Sequence, residues 1–401
     1  MTLDAAALDA ADPLVAFRDR FVGAASPLVY LDGNSLGRPL RATEDRIARF
    51  VAEEWGGRLI RGWDERWFEL PLSLGDRLAA VALGAAPGQT AIGDSTTVLL
   101  YKLVRAAVAA RPGRREIVID VDNFPTDRFV VEGVAKECGL TVRWLDVDAD
   151  RGVTPEALAP ALTDDTALVV VSHVAYKSGF LADVAELTRM THAAGGWILV
   201  DLCHSSGAVP VELDAWQVDL AVGCSYKYLN GGPGSPAFGY VAQRHLDSGA
   251  FHQPVQGWMG AADPFAMGPA YEPAPGIRRL ISGTPPVLGM LGLEDMVGLL
   301  EEVGIEAVRA KSVALTSYAL ELVDRDLPQV AVVSPRDASE RGGHVTIQHP
   351  RMREVTAALW ERDVLPDFRN PDGLRIGLSP LSTSFTEVAQ GIAAIGRALR
   401  V

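Results

Sequence analysis

The sequence predicts an α/β fold: a large domain with a mostly parallel central sheet, and a smaller α+β domain at the C-terminal end. Three observations carry this. Short apolar runs alternate with helix-periodic segments from Gln89 to Val222, the pattern of strands buried on both faces and joined by crossover helices. Glycine and proline then crowd His252 to Pro286, which marks a long ordered loop and a boundary. Beyond it, two helical segments precede short strand-like pieces. The expected division is an N-terminal segment 1–55 packing with the small domain, a large domain 56–285 and a small domain 286–401.

Taken in order, Leu8 to Phe21 reads as a helix, and Thr43 to Trp55 as an amphipathic one. Between them, YLDGNSLGRP (Tyr30–Pro39) packs turn residues and polar side chains after an apolar start. Taken alone, it suits an ordinary turn as well as a site. Trp63, Trp67 and Phe68 read as a satellite hydrophobic cluster. Strands are expected at Thr90–Ile92, Glu116–Val121, Thr141–Leu145, Ala167–Ser172, Trp197–Leu202, Leu220–Cys224 and Phe238–Ala242. Helices are expected at Val98–Ala110, Phe129–Cys138, Pro155–Leu162 and Val184–Ala193. In the small domain the helices are Val287–Val303, Ile305–Leu322, Met352–Arg362 and Thr386–Leu399. Its strands are Val330–Val333, His344–Gln348 and Leu374–Leu378.

Composition narrows the function classes. The chain has 401 residues, 48% of them hydrophobic, enough for a sizeable core. A net charge of −14 argues against non-specific binding to nucleic acid or an anionic membrane. No apolar run is long enough to span a bilayer, and no signal peptide is read at the start. Three scattered cysteines, Cys138, Cys203 and Cys224, support neither a disulfide framework nor a metal site. The expectation is a cytoplasmic protein.

One stretch organises the chemistry: VDLAVGCSYKYLNGGPG, Val218–Gly234. Its apolar run suits a buried strand whose end delivers Ser225, Tyr226 and Lys227 before a glycine turn. Parallel sheets place ligands at the carboxyl ends of their strands. An amine there pairs with a carboxylate or condenses with an aldehyde. Asp201 closes the strand before it, and Ser172 closes another. Asp201 alone suits a strand-end cap as well as a cofactor ligand. Thr96 and Thr97 open a helix, where hydroxyls and free N–H groups can cap the helix or hold an anion. Phe124 and Asp127 follow a third strand. Together these match what pyridoxal phosphate needs. A lysine takes its aldehyde, a carboxylate its pyridinium nitrogen, and a helix start its phosphate; Phe124 or His204 can supply a flat stacking partner.

At these residues the chain resembles the kynureninases, in the aminotransferase-like fold type I group of pyridoxal-phosphate enzymes. The matching segments include YLDGNSLGRPL (Tyr30–Leu40), NFPTD (Asn123–Asp127), DLCHSSGAVPVEL (Asp201–Leu213) and CSYKYLNGGPGSPAF (Cys224–Phe238). GWMG (Gly257–Gly260), GIRRLISGTPP (Gly276–Pro286) and LRIGLSPLSTSFTE (Leu374–Glu387) extend the likeness over nearly the whole chain.

The resemblance implies hydrolysis of L-kynurenine to anthranilate and L-alanine in tryptophan breakdown, with 3-hydroxykynurenine as an alternative substrate. It implies that Lys227 carries the cofactor and moves the Cα proton, and that Asp201 pairs with the ring nitrogen near Asp127. Phe124 would cover the ring, with Ser172 and His204 flanking it. Thr96, Thr97 and Tyr226 would hold the phosphate, and Tyr226 would also donate a proton to the β-carbon. Trp258 and Thr284 would complete the phosphate site from across a homodimer interface. Asn34, Ser35, Trp63 and Arg375 would meet the substrate, Arg375 as the α-carboxylate clamp. Two departures stand near the expected aryl site. Ala261 follows Gly260 where many relatives have histidine, and Ala175 stands where asparagine is common. The competing readings are a cysteine-desulfurase-like lyase, an aminotransferase or a noncatalytic homologue. A desulfurase wants a reactive thiol on a loop, and none of the three cysteines suits that.

Overall fold

Residues of the central strands alternate between two apolar layers, as a period of two requires of a sheet covered on both faces. Val118, Val169, Val171, Ile198, Val200 and Ala221 face one core; Ile117, Ile119, Leu168, Val170, Leu199 and Val222 face the other. In the computed structural model, which describes residues 4–148 and 150–400, these strands form a seven-stranded sheet. The order across it is Thr90–Ile92, Phe238–Val241, Leu220–Gly223, Trp197–Asp201, Thr166–Ser172, Glu116–Asp120 and Thr141–Leu145. Only Phe238–Val241 runs against the others. The remaining pairs are parallel, so five successive strands end on one edge.

Local signals set the helices around it. Pro125 opens the helix Pro125–Cys138, four residues before the expected start, because proline fits the first helical position. Asp127 therefore lies in its first turn. Gly139, at φ +67°, ends it in the left-handed conformation that glycine tolerates. The expected helix over Leu8–Phe21 is broken. Ala5–Ala11 is helical, Asp12 turns extended before Pro13, and Val15–Arg20 is a separate 3₁₀ turn. Proline disfavours helical backbone in the residue before it. A helix at Leu70–Leu78, absent from the sequence reading, packs Leu70, Leu74 and Leu78 into the core.

The small domain holds a four-stranded antiparallel sheet, in the order Asp367–Arg369, Gly373–Gly377, His344–Gln348 and Ala331–Val332. Helices Ile305–Asp326, Met352–Trp360 and Phe385–Arg400 cover it. The N-terminal residues dock there. Asp9 accepts from the free N–H groups of Phe385 (2.7 Å) and Thr386 (3.0 Å) at the start of the last helix. Arg38 reaches the buried Glu387 at 3.0 Å, and Glu387 also accepts from the Tyr30 N–H at 2.8 Å. Among the described residues, no helix is long and apolar enough to cross a membrane.

Candidate active site

The parallel ladder places three side-chain positions in one row: Ser172 pairs with Asp201, and Asp201 with Val222. Five residues past Val222, Lys227 sits on a loop held from several sides. Ser225 bonds Ser235 Oγ at 2.6 Å and the Pro236 carbonyl, while the Gly231 N–H donates to Ser225 O at 2.9 Å. The Tyr30–Pro39 turn completes the support. Gly37 donates its N–H to Tyr226 O at 2.9 Å, and Asn230 Nδ2 donates to Arg38 O at 2.8 Å. A side chain on Gly37 would strike Asn230 and the Lys227 carbonyl. That contact gives the glycine a steric reason and makes the turn part of the lysine's mounting.

Lys227 Nζ lies 2.9 Å from His204 Nε2 and 5.7 Å from the centre of the Phe124 ring. Burial, then the lysine charge, pushes the His204 imidazole well below its ordinary range. On the carboxyl side, Asp201 accepts from the Cys203 N–H at 2.7 Å. Asp127 is buried, with Oδ2 unpartnered. Burial first, then the charges of Asp201 and Asp120, pushes its carboxyl well above the usual range. Asn123, which the sequence reading passed over, ties this wall together. Its Nδ2 donates to Asp120 at 2.9 Å, and its Oδ1 accepts from Ser172 Oγ at 3.1 Å.

Thr96 and Thr97 begin the helix Thr96–Ala110, which Ser95 caps. The loop before that helix is fixed by a cation that reads from sequence as ordinary. Lys102 is fully buried and donates to Asp94 at 2.5 Å and to Leu280 O at 2.9 Å. Thr96, Thr97, Phe124, Asp127, Ser172, Asp201, His204, Tyr226 and Lys227 line one cavity. It encloses about 80 Å³, or about 490 Å³ with its open mouth. Tyr226 also lines a neighbouring cavity of about 510 Å³ that contains Ser95 and Thr284. Burial, then Cys224, pushes its phenol above the ordinary value.

Arg375, in the strand Gly373–Gly377, is 1% exposed and does not itself line the cavity. Nη1 donates to the carbonyl of Tyr176 at 2.7 Å, and Tyr176 lines the Lys227 cavity. Nη2 donates to Ser35 Oγ at 3.1 Å and to Asp367, while Nε has no acceptor. Asn34 is fully buried with both amide atoms unpartnered. Asp367, paired with Arg375 across neighbouring short strands, and His344, which matters through the distant His204, both escaped the sequence reading. The His344 ring lies 5.6 Å from that of His204, and both its nitrogens are unpartnered.

Of the expected site residues, Asn34, Ser35, Trp63, Trp258, Thr284 and Arg375 do not line this cavity. Trp63 packs edge-on against Trp67 at 5.5 Å and joins the hydrophobic core. Trp258 is 43% exposed and meets Phe265 edge-on at 6.1 Å.

Residues 308–395 match the family model described as the kynureninase C-terminal domain. The chain is 42% identical over 394 residues to a kynureninase of Burkholderia pseudomallei strain 1106a, covering 96% of this chain and 92% of that one. It is 41% identical over 406 residues to a kynureninase of Pseudomonas fluorescens, covering 99% and 95%. Among solved structures, a cysteine desulfurase from Thermococcus onnurineus NA1 superposes with a TM-score of 0.82 over 96% of this chain and 98% of that one. Its sequence identity is 17%, so that likeness speaks for the fold alone.

Proposed function

The chain belongs to the kynureninase family, hydrolases that split L-kynurenine at a carbon–carbon bond, and we propose that Lys227, Asp201, Tyr226 and Arg375 divide that work here. The observation that carries the proposal is the convergence of a lysine amine, two carboxyl groups and a helix start on one cavity, with an arginine bonded to the carbonyl of Tyr176 in its wall. Pyridoxal 5′-phosphate fits these residues. Asp127 Oδ2 is a buried oxygen without a partner, and the first turn of the Thr96 helix has free N–H groups. Lys227, Asp201 and Thr96–Thr97 would hold its aldehyde carbon, ring nitrogen and phosphate respectively. When bound, the cofactor supplies an electron sink that stabilises negative charge on the substrate carbons.

The protein's share is orientation and proton transfer. Lys227 Nζ takes the Cα proton, and His204 limits where that amine can point. Tyr226 keeps its phenolic proton because of its burial, and donates it to the β-carbon as the bond to the γ-carbon breaks. Asn123 holds Ser172 and Asp120 so that Asp127 and Asp201 keep their places. Arg375 takes the α-carboxylate as a bidentate partner. The three cysteines offer no support for desulfurase chemistry. Cys203 and Cys224 are buried, and Cys138 lies in a helix beside Arg105.

The proposed assembly is a two-fold homodimer. Leu59, Ile60, Trp258, Phe265 and Met267 expose large apolar side chains that a second subunit would cover. A cytoplasmic location is supported by three unpaired cysteines. The test of the reaction is a product assay on the holoenzyme with L-kynurenine and with 3-hydroxykynurenine. L-Alanine should appear one-for-one with the aromatic amine. A keto acid in place of alanine, or no cleavage of either substrate, would overturn the proposal.

A further inference from the structure

Lys102, in the second turn of the helix Thr96–Ala110, is fully buried and lines neither cavity described above. Its two acceptors, Asp94 and the Leu280 carbonyl, belong to different segments that line one cavity, the one of about 510 Å³. Asp94 and Ser95 come from the loop before the helix. Leu280, Ser282 and Thr284 come from the stretch that follows Gly276. Tyr226 lines this cavity and the Lys227 cavity alike.

Asp94 sets up the helix start. Its φ of +49° is left-handed, which aspartate tolerates better than most residues. Ala237 holds the backbone on both sides of that turn: its N–H donates to Asp94 O at 3.0 Å, and its carbonyl accepts from the Gly93 N–H at 2.9 Å. Lys102 holds the side chain. Ser95 then caps the helix, and Thr96 and Thr97 follow in the first turn. As a device for stability alone the buried pair is a poor choice, because an apolar side chain of similar volume often serves a core as well or better. What an apolar side chain lacks is directed bonds to two partners at once. We propose that Lys102 is a positioning residue for the phosphate end of the cofactor site: it fixes the helix start that carries Thr96 and Thr97 against the segment that carries Thr284. It touches neither cofactor nor substrate. The inference rests on the assignment of pyridoxal phosphate to this site.

The test titrates the apoenzyme with two ligands, pyridoxal 5′-phosphate and pyridoxal, which keeps the ring and aldehyde but has no phosphate. Each Kd is read by absorbance. Lys102→Met removes the charge-assisted bonds at nearly constant volume. It should weaken pyridoxal 5′-phosphate by about tenfold or more and leave pyridoxal within about threefold. Asp94→Asn, at a carboxylate 31% exposed, keeps the shape and weakens the same tie. It should shift the ratio of the two constants in the same direction, and it decides the matter if Lys102→Met does not fold. An equal loss of both affinities would make Lys102 a residue of general stability and overturn the proposal, as would a ratio that neither variant moves. A wild type that binds the two ligands equally would overturn the phosphate assignment itself, a failure visible before any variant is made.

Discussion

Ser172, Asp201 and Val222 stand side by side in one hydrogen-bonded row of the large sheet. Arg375 and Asp367, register partners in the small sheet, instead meet Ser35 of the N-terminal turn and the Tyr176 carbonyl of the large sheet's loop only when these separated stretches dock. The two regions keep their polar groups differently. Along the sheet edge, Asn123, Ser172 and Asp120 are joined in a chain of side-chain bonds, and the unpartnered Asp127 Oδ2 and His204 Nδ1 belong to residues that line the cavity. At the docking seam, Asn34, Asp32, Tyr228, Ser379 and His344 all have buried atoms without partners. Each such group costs about 1–3 kcal/mol while it stays unpaired. The sheet edge thus has its polar side chains tied together around the cavity, while the seam keeps unused bonding capacity, as the proposed division between cofactor and substrate requires. Burial pushes the Asp32 carboxyl up to about 6, another sign that the seam is short of partners.

This contrast can be broken at the wall first, where the largest effect is expected. Lys227→Ala should lower turnover by at least about a thousandfold, since it removes both the proposed attachment point and the proposed general base. Borohydride reduction followed by peptide mapping should label Lys227 in the wild type; a label on another lysine would contradict the assignment.

A change at the seam should be milder and of a different kind. Asp367 holds Arg375 as a charged partner. Asp367→Asn keeps an acceptor but loses the charge, so KM should rise by about tenfold with kcat within about threefold. If Asp367 instead competes with the substrate for the guanidinium, KM will fall, and steady-state kinetics will tell the two apart by sign.

The smallest effect concerns pH. Burial, then Arg375, pushes His344 from 6.5 down to about 3. The unfolded chain therefore binds this proton first, so the stability is present above about pH 6.5 and is lost as pH falls from there toward 3. His173 and His204 shift the same way. His344→Phe should flatten, without abolishing, the decline in urea midpoint over that window. An unchanged slope would mean that His344 is not the buried neutral group described.

Legibility in the sequence follows the same division. Each strand of the large sheet lies within about a residue of its expected bounds, because an apolar run bounded by turn residues is a local signal. The strand ends at Ser172 and Asp201, and the lysine loop after Gly223, were legible with them. Lys102 was not, since nothing near it says that its amine is buried against Asp94 and Leu280. Asp367 belongs to a three-residue strand too short to show a period. The break at Pro13 was readable from the proline alone, yet the apolar spacing on either side suggested one continuous helix. Trp63 shows the converse: the simple reading, an aromatic cluster, describes its packing against Trp67.

The central claim is that the sheet edge holds the cofactor while the seam holds the substrate. Arg375→Ala tests it most directly, with two readings on one protein: pyridoxal-phosphate affinity by absorbance titration, and kcat/KM for kynurenine. Truncating one partner of a buried charged pair costs on the order of 2–5 kcal/mol. The account therefore predicts that kcat/KM falls by roughly 30- to several-thousand-fold, while cofactor affinity stays within about threefold. A cofactor affinity that falls as far as kcat/KM, or a kcat/KM that hardly moves, would contradict it.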